Sequence, residues 1–111
     1  MDKLARYTTI IKKILQEDAS YGPSHGEIEP HLVFDDEHRS YQLMYVGWDR
    51  RRRVHGVIYH LRIQNDKIYI EEDTSNQPIA ESLLEAGVPR EDIVLAFHAP
   101  DKRQYTEFAV A

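Results

Sequence analysis

A chain of 111 residues with no cysteine has room for one domain, and it excludes a disulfide framework, thiolate chemistry and cysteine-ligated metals. Its formal net charge of −5 opposes sequence-blind attraction to nucleic acid, which draws on Lys and Arg neutralising phosphates. The N-terminal stretch MDKLARYTTIIKKILQED is charged throughout, unlike a signal peptide. The longest uninterrupted apolar run, Ile93–Phe97, falls far short of the roughly 20 residues a membrane helix needs. These features lead us to expect a cytoplasmic protein without membrane contact.

Leu4, Tyr7, Ile11, Ile14 and Leu15, with Ile10 beside them, recur at helical spacing, and lysines fill the other side. With Asp2 as a cap and Gly22-Pro23 as a stop, this predicts an amphipathic helix over about residues 3–20. Gly22 to Gly26 is a loop. Ile28 to Asp35 reads as a strand with Leu32 and Phe34 on one face and Val33 on the other. Pro30 lacks an N–H, so the strand is an edge or begins after it. Asp36 to Arg39 is a turn.

Tyr41 to Glu72 holds three runs rich in Val, Ile, Tyr and Leu, the pattern of an antiparallel meander. Asn65-Asp66 favours a two-residue type I′ turn pairing Gln64 with Lys67. The break Asp49–Arg53 aligns odd residues with odd. Tyr41, Leu43, Tyr45, Val57, Tyr59, Leu61, Ile63, Ile68 and Ile70 then share an apolar core face. Downstream, Asp73 to Asn76 offers caps for a second, shorter helix. Pro78 suits its first turn, Ile79, Ala80, Leu83 and Leu84 form its stripe, and Gly87 ends it. Ile93–Phe97 reads as a strand covered on both faces, and the tail Arg103–Ala111 is too apolar for a free end. The expected fold is α+β. Its antiparallel sheet comprises the central three-stranded meander, an N-terminal edge strand and a short C-terminal strand, packed by the two helices.

Arg50, Arg51, Arg52 and Arg53 at a hairpin tip suit phosphates or a partner's carboxylates, beside the plainer reading of a solvated loop. His60 lies within the central strand with His55 on the opposite face. Neither has ligands at compelling spacing, so a hydrogen-bonded histidine is the simpler reading of His60. His98 ends the last strand without an evident partner, and His25, His31 and His38 read as loop or edge residues. Asp35-Asp36-Glu37 and Glu71-Glu72-Asp73 are the carboxylate clusters that a Mg²⁺-dependent nuclease would use, but both adjoin turns and lack a well-spaced lysine. No phosphate loop, nucleophile elbow or zinc motif is present. We therefore expect no catalytic residues, metal or cofactor.

Two expectations concern the meander itself. Gly56, placed opposite Val46, marks a bend or a close approach, so Gly56→Val is expected to destabilise the fold or block association. On the second face the same register gathers Met44, Val46, Trp48, Val54 and Ile58 with a polar surround, the layout of a protein interface. Its simplest cover is a second copy in a homodimer, set against a helix or the Phe108–Val110 tail folding over it.

The segment Gly87-Val88-Pro89-Arg90-Glu91-Asp92-Ile93-Val94-Leu95-Ala96-Phe97-His98, followed by Arg103 to Ala111, resembles the C-terminal signature of the XisI family, the fdxN element excision controlling factors. The likeness continues upstream through Tyr41-Gln42-Leu43, Val46-Gly47-Trp48-Asp49, Arg53, Gly56, His60, Lys67-Ile68 and Ile79-Ala80. It implies a small cytoplasmic, non-enzymatic accessory protein in programmed DNA excision during heterocyst differentiation. Such a protein acts with a site-specific recombinase and with XisH, a companion resembling restriction-type nucleases, and reaches DNA through that partner. The chain departs from the family pattern at Asn65-Asp66, where Asp-Gly is common, at Tyr69, where Trp is, and at Arg62, where an acid is. The last argues against a carboxylate pairing with His60. The alternatives are direct DNA binding through Arg50–Arg53 and, less favoured, a metal-dependent hydrolase.

Overall fold

The computed structural model describes residues 2–23 and 26–111, so the expectation for His25 lies outside the described residues. In chain order the elements are α1 (Lys3–Tyr21), β1 (Glu27–Asp35), β2 (Ser40–Asp49), β3 (Arg52–Gln64), β4 (Lys67–Asp73), α2 (Ile79–Glu85) and β5 (Ile93–Leu95). Two short 3-10 helices, Arg90–Asp92 and Pro100–Tyr105, flank β5. The five strands form one sheet in the order β1-β2-β3-β4-β5. The fold is α+β as expected, and the sheet is antiparallel except at β5, which runs parallel to β4 after the α2 crossover.

Local chemistry accounts for most boundaries. The Asp2 carboxylate accepts from the Ala5 N–H at 2.7 Å and caps α1. Asn65 and Asp66 both take positive φ, as a type I′ turn requires, and Gln64 pairs with Lys67. Pro30 sits on the edge strand β1, where its missing N–H breaks no interior ladder. The carboxylate of Asp73 accepts from the Ile79 N–H at 2.8 Å and from Ser75, which fixes the entry to α2.

Tyr7, Ile11 and Leu15 of α1 and Ile79 and Leu83 of α2 share one buried cluster with Tyr41, Leu43, Tyr59, Leu61, Ile63, Ile68 and Ile70 of the sheet. Both helices thus cover the predicted core face. Beneath the α1 N-terminus the buried Asp92 carboxylate accepts from the Tyr7 hydroxyl and pairs with Lys3 at 2.7 Å. Burial alone would raise that carboxyl, but the bonds from Lys3 and Tyr7 outweigh it and hold it below the usual range. Burial and the same carboxylate push the Tyr7 hydroxyl up to about 12.

Two features depart from the sequence reading. β5 stops at Leu95, where the chain turns, so Phe97 is half exposed and His98 lies beyond the strand, its N–H on the Leu95 carbonyl. The tail then returns beside β5. The Ala109 N–H bonds the Ile93 carbonyl at 2.8 Å, and Phe108 packs against the core.

The second departure is a bulge. Tyr41 faces Leu61 and Leu43 faces Tyr59 as expected, but the next pair is Met44 with Val57, leaving Ile58 as an extra residue on β3. From there to the tip the register moves by one. Val57 therefore leaves the core face for the second face, while Ile58 turns in and packs against the core. Val54 falls opposite Gly47, on the core side, and is not part of the second-face cluster. Gly56 lies opposite Tyr45, not Val46, and a Cβ there would meet nothing within 4 Å. The close approach expected at Gly56 is found instead at Gly47. A Cβ at Gly47 would lie 2.0 Å from the Glu27 carbonyl oxygen, with a backbone φ of +156° besides.

Candidate functional site

No residue from Met44 to Ile58 is buried, so the tip half of the β2–β3 hairpin projects past the helix layer. Antiparallel partners share a face, and the second face therefore consists of cross-strand rows. From the tip inward these are Glu27–Trp48–Arg53, Glu29–Val46–His55, His31–Met44–Val57 and Val33–Gln42–His60. The bulge brings His55 and His60 onto this same face, where the sequence alternation had set them apart. Trp48 keeps 48% of its surface exposed and Val33 43%, well above an ordinary packed sheet face. The tail does not reach this region. Arg103 ties it to the β5 side through the Ala96 and His98 carbonyls, at 3.2 and 3.0 Å.

The four arginines of the tip separate into two groups. Arg50, with a φ of +60°, Arg51 and Arg52 are exposed at the turn. Arg53 instead stacks its guanidinium 5.3 Å from the Trp48 ring centre and donates to the Gly47 carbonyl at 3.3 Å. Arg53 is thereby joined to the apolar second face, and three arginines remain for a charged ligand.

Most of the remaining candidates are engaged in holding the fold, whereas Glu37 and Glu72 stand exposed. The Asp35 carboxylate accepts from the His38 backbone N–H at 3.0 Å, and Asp36 accepts from Lys12 at 2.9 Å and Tyr41 at 2.8 Å. These bonds, led by His38 for Asp35 and by Lys12 for Asp36, lower both carboxyls. Asp73 caps α2, and Glu71 lies 3.6 Å from Arg62. The His60 ring hydrogen-bonds the Ser40 hydroxyl at 2.8 Å, and its burial lowers the imidazole pKa even against the pull of Glu71. Among the described residues, no three His, Asp or Glu side chains converge as a metal site would need. No helix among them is long and apolar enough to cross a membrane.

The projecting end of the half-covered sheet thus carries apolar side chains beside charged ones. Comparison with known proteins gives the fold its family. The family model described as XisI protein matches residues 1–110, and the chain belongs to the XisI family. The crystal structure of the fdxN element excision controlling factor XisI from Anabaena variabilis ATCC 29413 is similar at 40% identity and a TM-score of 0.84. That match covers 99% of this chain and 100% of the other. A XisI-like protein from the same organism is similar at 41% identity and a TM-score of 0.90, covering 97% and 99% of the two chains. No curated protein matches the chain.

Proposed function

We propose that this chain is a non-enzymatic controlling factor of DNA-element excision, acting by binding a protein partner of the nuclease-like XisH type or a site-specific recombinase. Family membership over residues 1–110 supports the role in excision control. The observation that carries the mode of action is the use made of the reactive side chains. Asp35, Asp36, Asp73 and Asp92 serve as caps and ion pairs, Glu71 lies beside Arg62, and His60 is held by Ser40. Apolar surface, by contrast, is displayed at the hairpin end.

Co-expression with a nuclease-like protein of the XisH type tests this reading. A stable complex through affinity and size-exclusion steps is the expected result, and two proteins that never associate would refute it. A second reading, direct contact of the hairpin tip with DNA, is favoured by one observation. Arg50, Arg51 and Arg52 stand exposed together at the end of the projecting arm.

A further inference from the structure

The second face carries a charge pattern that its own rotation satisfies. In the row at the tip, Glu27 on β1 and Arg53 on β3 flank Trp48. In the next row, Glu29 and His55 flank Val46. In these two rows both acids stand on the β1 side of β2 and both basic groups on the β3 side, and Glu29 also lies 3.4 Å from the ring of His31 on its own strand. The middle strand between them is apolar.

We propose that this face is a two-fold interface between two copies of the chain, with the axis along β2 in the plane between the stacked sheets. Rotation about that axis carries β1 of one copy over β3 of the other and keeps every row at its own level. Trp48 then meets Trp48 of the partner subunit at the axis. Glu27 faces Arg53 of the partner subunit, and Glu29 faces a ring that donates to it, His55 of the partner subunit. Each pairing occurs twice, as an isologous interface demands. Sheets stacked this way lie about 10 Å apart with strands within about 30° of each other, a distance that long side chains such as Glu and Arg bridge. The apolar centre inside a charged rim is also the usual anatomy of an interface. An unrelated partner would not require the face to be complementary to itself about its own middle strand. On the other apolar side of the arm, around Tyr45, Val54 and Ile58, the opposed charges Asp49 and Arg52 are direct neighbours on β2 and β3 and do not flank an apolar middle strand.

Sedimentation equilibrium from 1 to 100 µM tests the proposal. The native chain is expected to be dimeric, and Trp48→Asp to be monomeric with an unchanged far-ultraviolet circular dichroism spectrum. Charge reversal keeps the test decisive if that variant misfolds. Glu27→Arg and Arg53→Glu should each weaken the dimer about tenfold or more, since each turns two attractions into two repulsions. The double variant Glu27→Arg/Arg53→Glu should recover to within about threefold of native. A monomeric native chain at 100 µM would overturn the proposal. So would a dimer indifferent to these changes, or a double variant weaker than either single one. A native monomer that associates with the nuclease-like protein through Trp48 would instead assign the face to that partner.

Discussion

At the scale of single residues, two glycines exchange the roles their sequence positions suggest. Gly56 sits mid-strand with open space where a Cβ would go, so Gly56→Val is expected to fold with a melting temperature within a few degrees of native. Gly47 has the Glu27 carbonyl and the Ile28 backbone against it. Gly47→Ala must push β1 off β2, at a cost of about 2–3 kcal/mol or more, read as a loss of thermal stability. The Lys3–Asp92–Tyr7 group gives a pH prediction on both flanks. The Asp92 carboxyl is depressed in the fold, so its contribution is present above the unfolded value of 3.8 and is lost as pH falls below it. Tyr7 is raised from 10.0 to about 12, so its contribution is complete below 10 and disappears as pH climbs through 12. Asp92→Ala strips the buried Tyr7 hydroxyl of its acceptor, which costs about 1–3 kcal/mol. It should also flatten both flanks in a series of melts across pH, and flanks as steep as native would contradict this.

At the scale of elements, side-chain pattern made the helices, the meander and the Asn65-Asp66 turn legible, because each rests on a local signal of period, cap or turn chemistry. The bulge left only a trace, the three consecutive apolar residues Val57-Ile58-Tyr59, where strict alternation would have placed a polar one. A slip of one residue exchanges faces, so that single insertion moved Val54 and Ile58 out of the second-face cluster and brought Val57 in. The β5 segment misled for a different reason. Ile93–Phe97 is uniformly apolar, and composition does not mark where pairing ends, whereas the returning tail does. That tail is expected to contribute substantially to stability. Removing residues 106–111 uncovers Phe108's site on the core and frees the Ile93 carbonyl. The loss is about 2–3 kcal/mol, near 10 °C in melting temperature for a domain of this size. Arg103→Ala, which removes donors to the Ala96 and His98 carbonyls, should show a smaller loss of the same kind. A truncated chain melting with the native one would show that the tail is only draped on the surface.

At the scale of the whole molecule, charge is distributed unevenly enough to separate partner binding from DNA binding. The chain carries −5 overall, yet three exposed arginines gather at one turn beyond the helix layer. Three guanidinium groups can neutralise at most about three phosphates, which limits the slope of log affinity against log salt to about −2.7. The surrounding negative charge reduces the attraction further. The chain alone is therefore expected to bind duplex DNA no tighter than the non-specific range of about 10⁻⁴–10⁻⁶ M at physiological salt. Arg51→Ala/Arg52→Ala should flatten the slope by about 1.8, since two of the three contacts are removed. The same double variant should co-purify with a protein partner as well as the native chain does, because the fold and the second-face dimer with its Arg53–Trp48 stack are left intact. Gel-shift titrations at several salt concentrations, run beside the co-purification, provide the check. Binding well below the micromolar range, or a slope indifferent to the two substitutions, would place DNA recognition on a surface other than this tip.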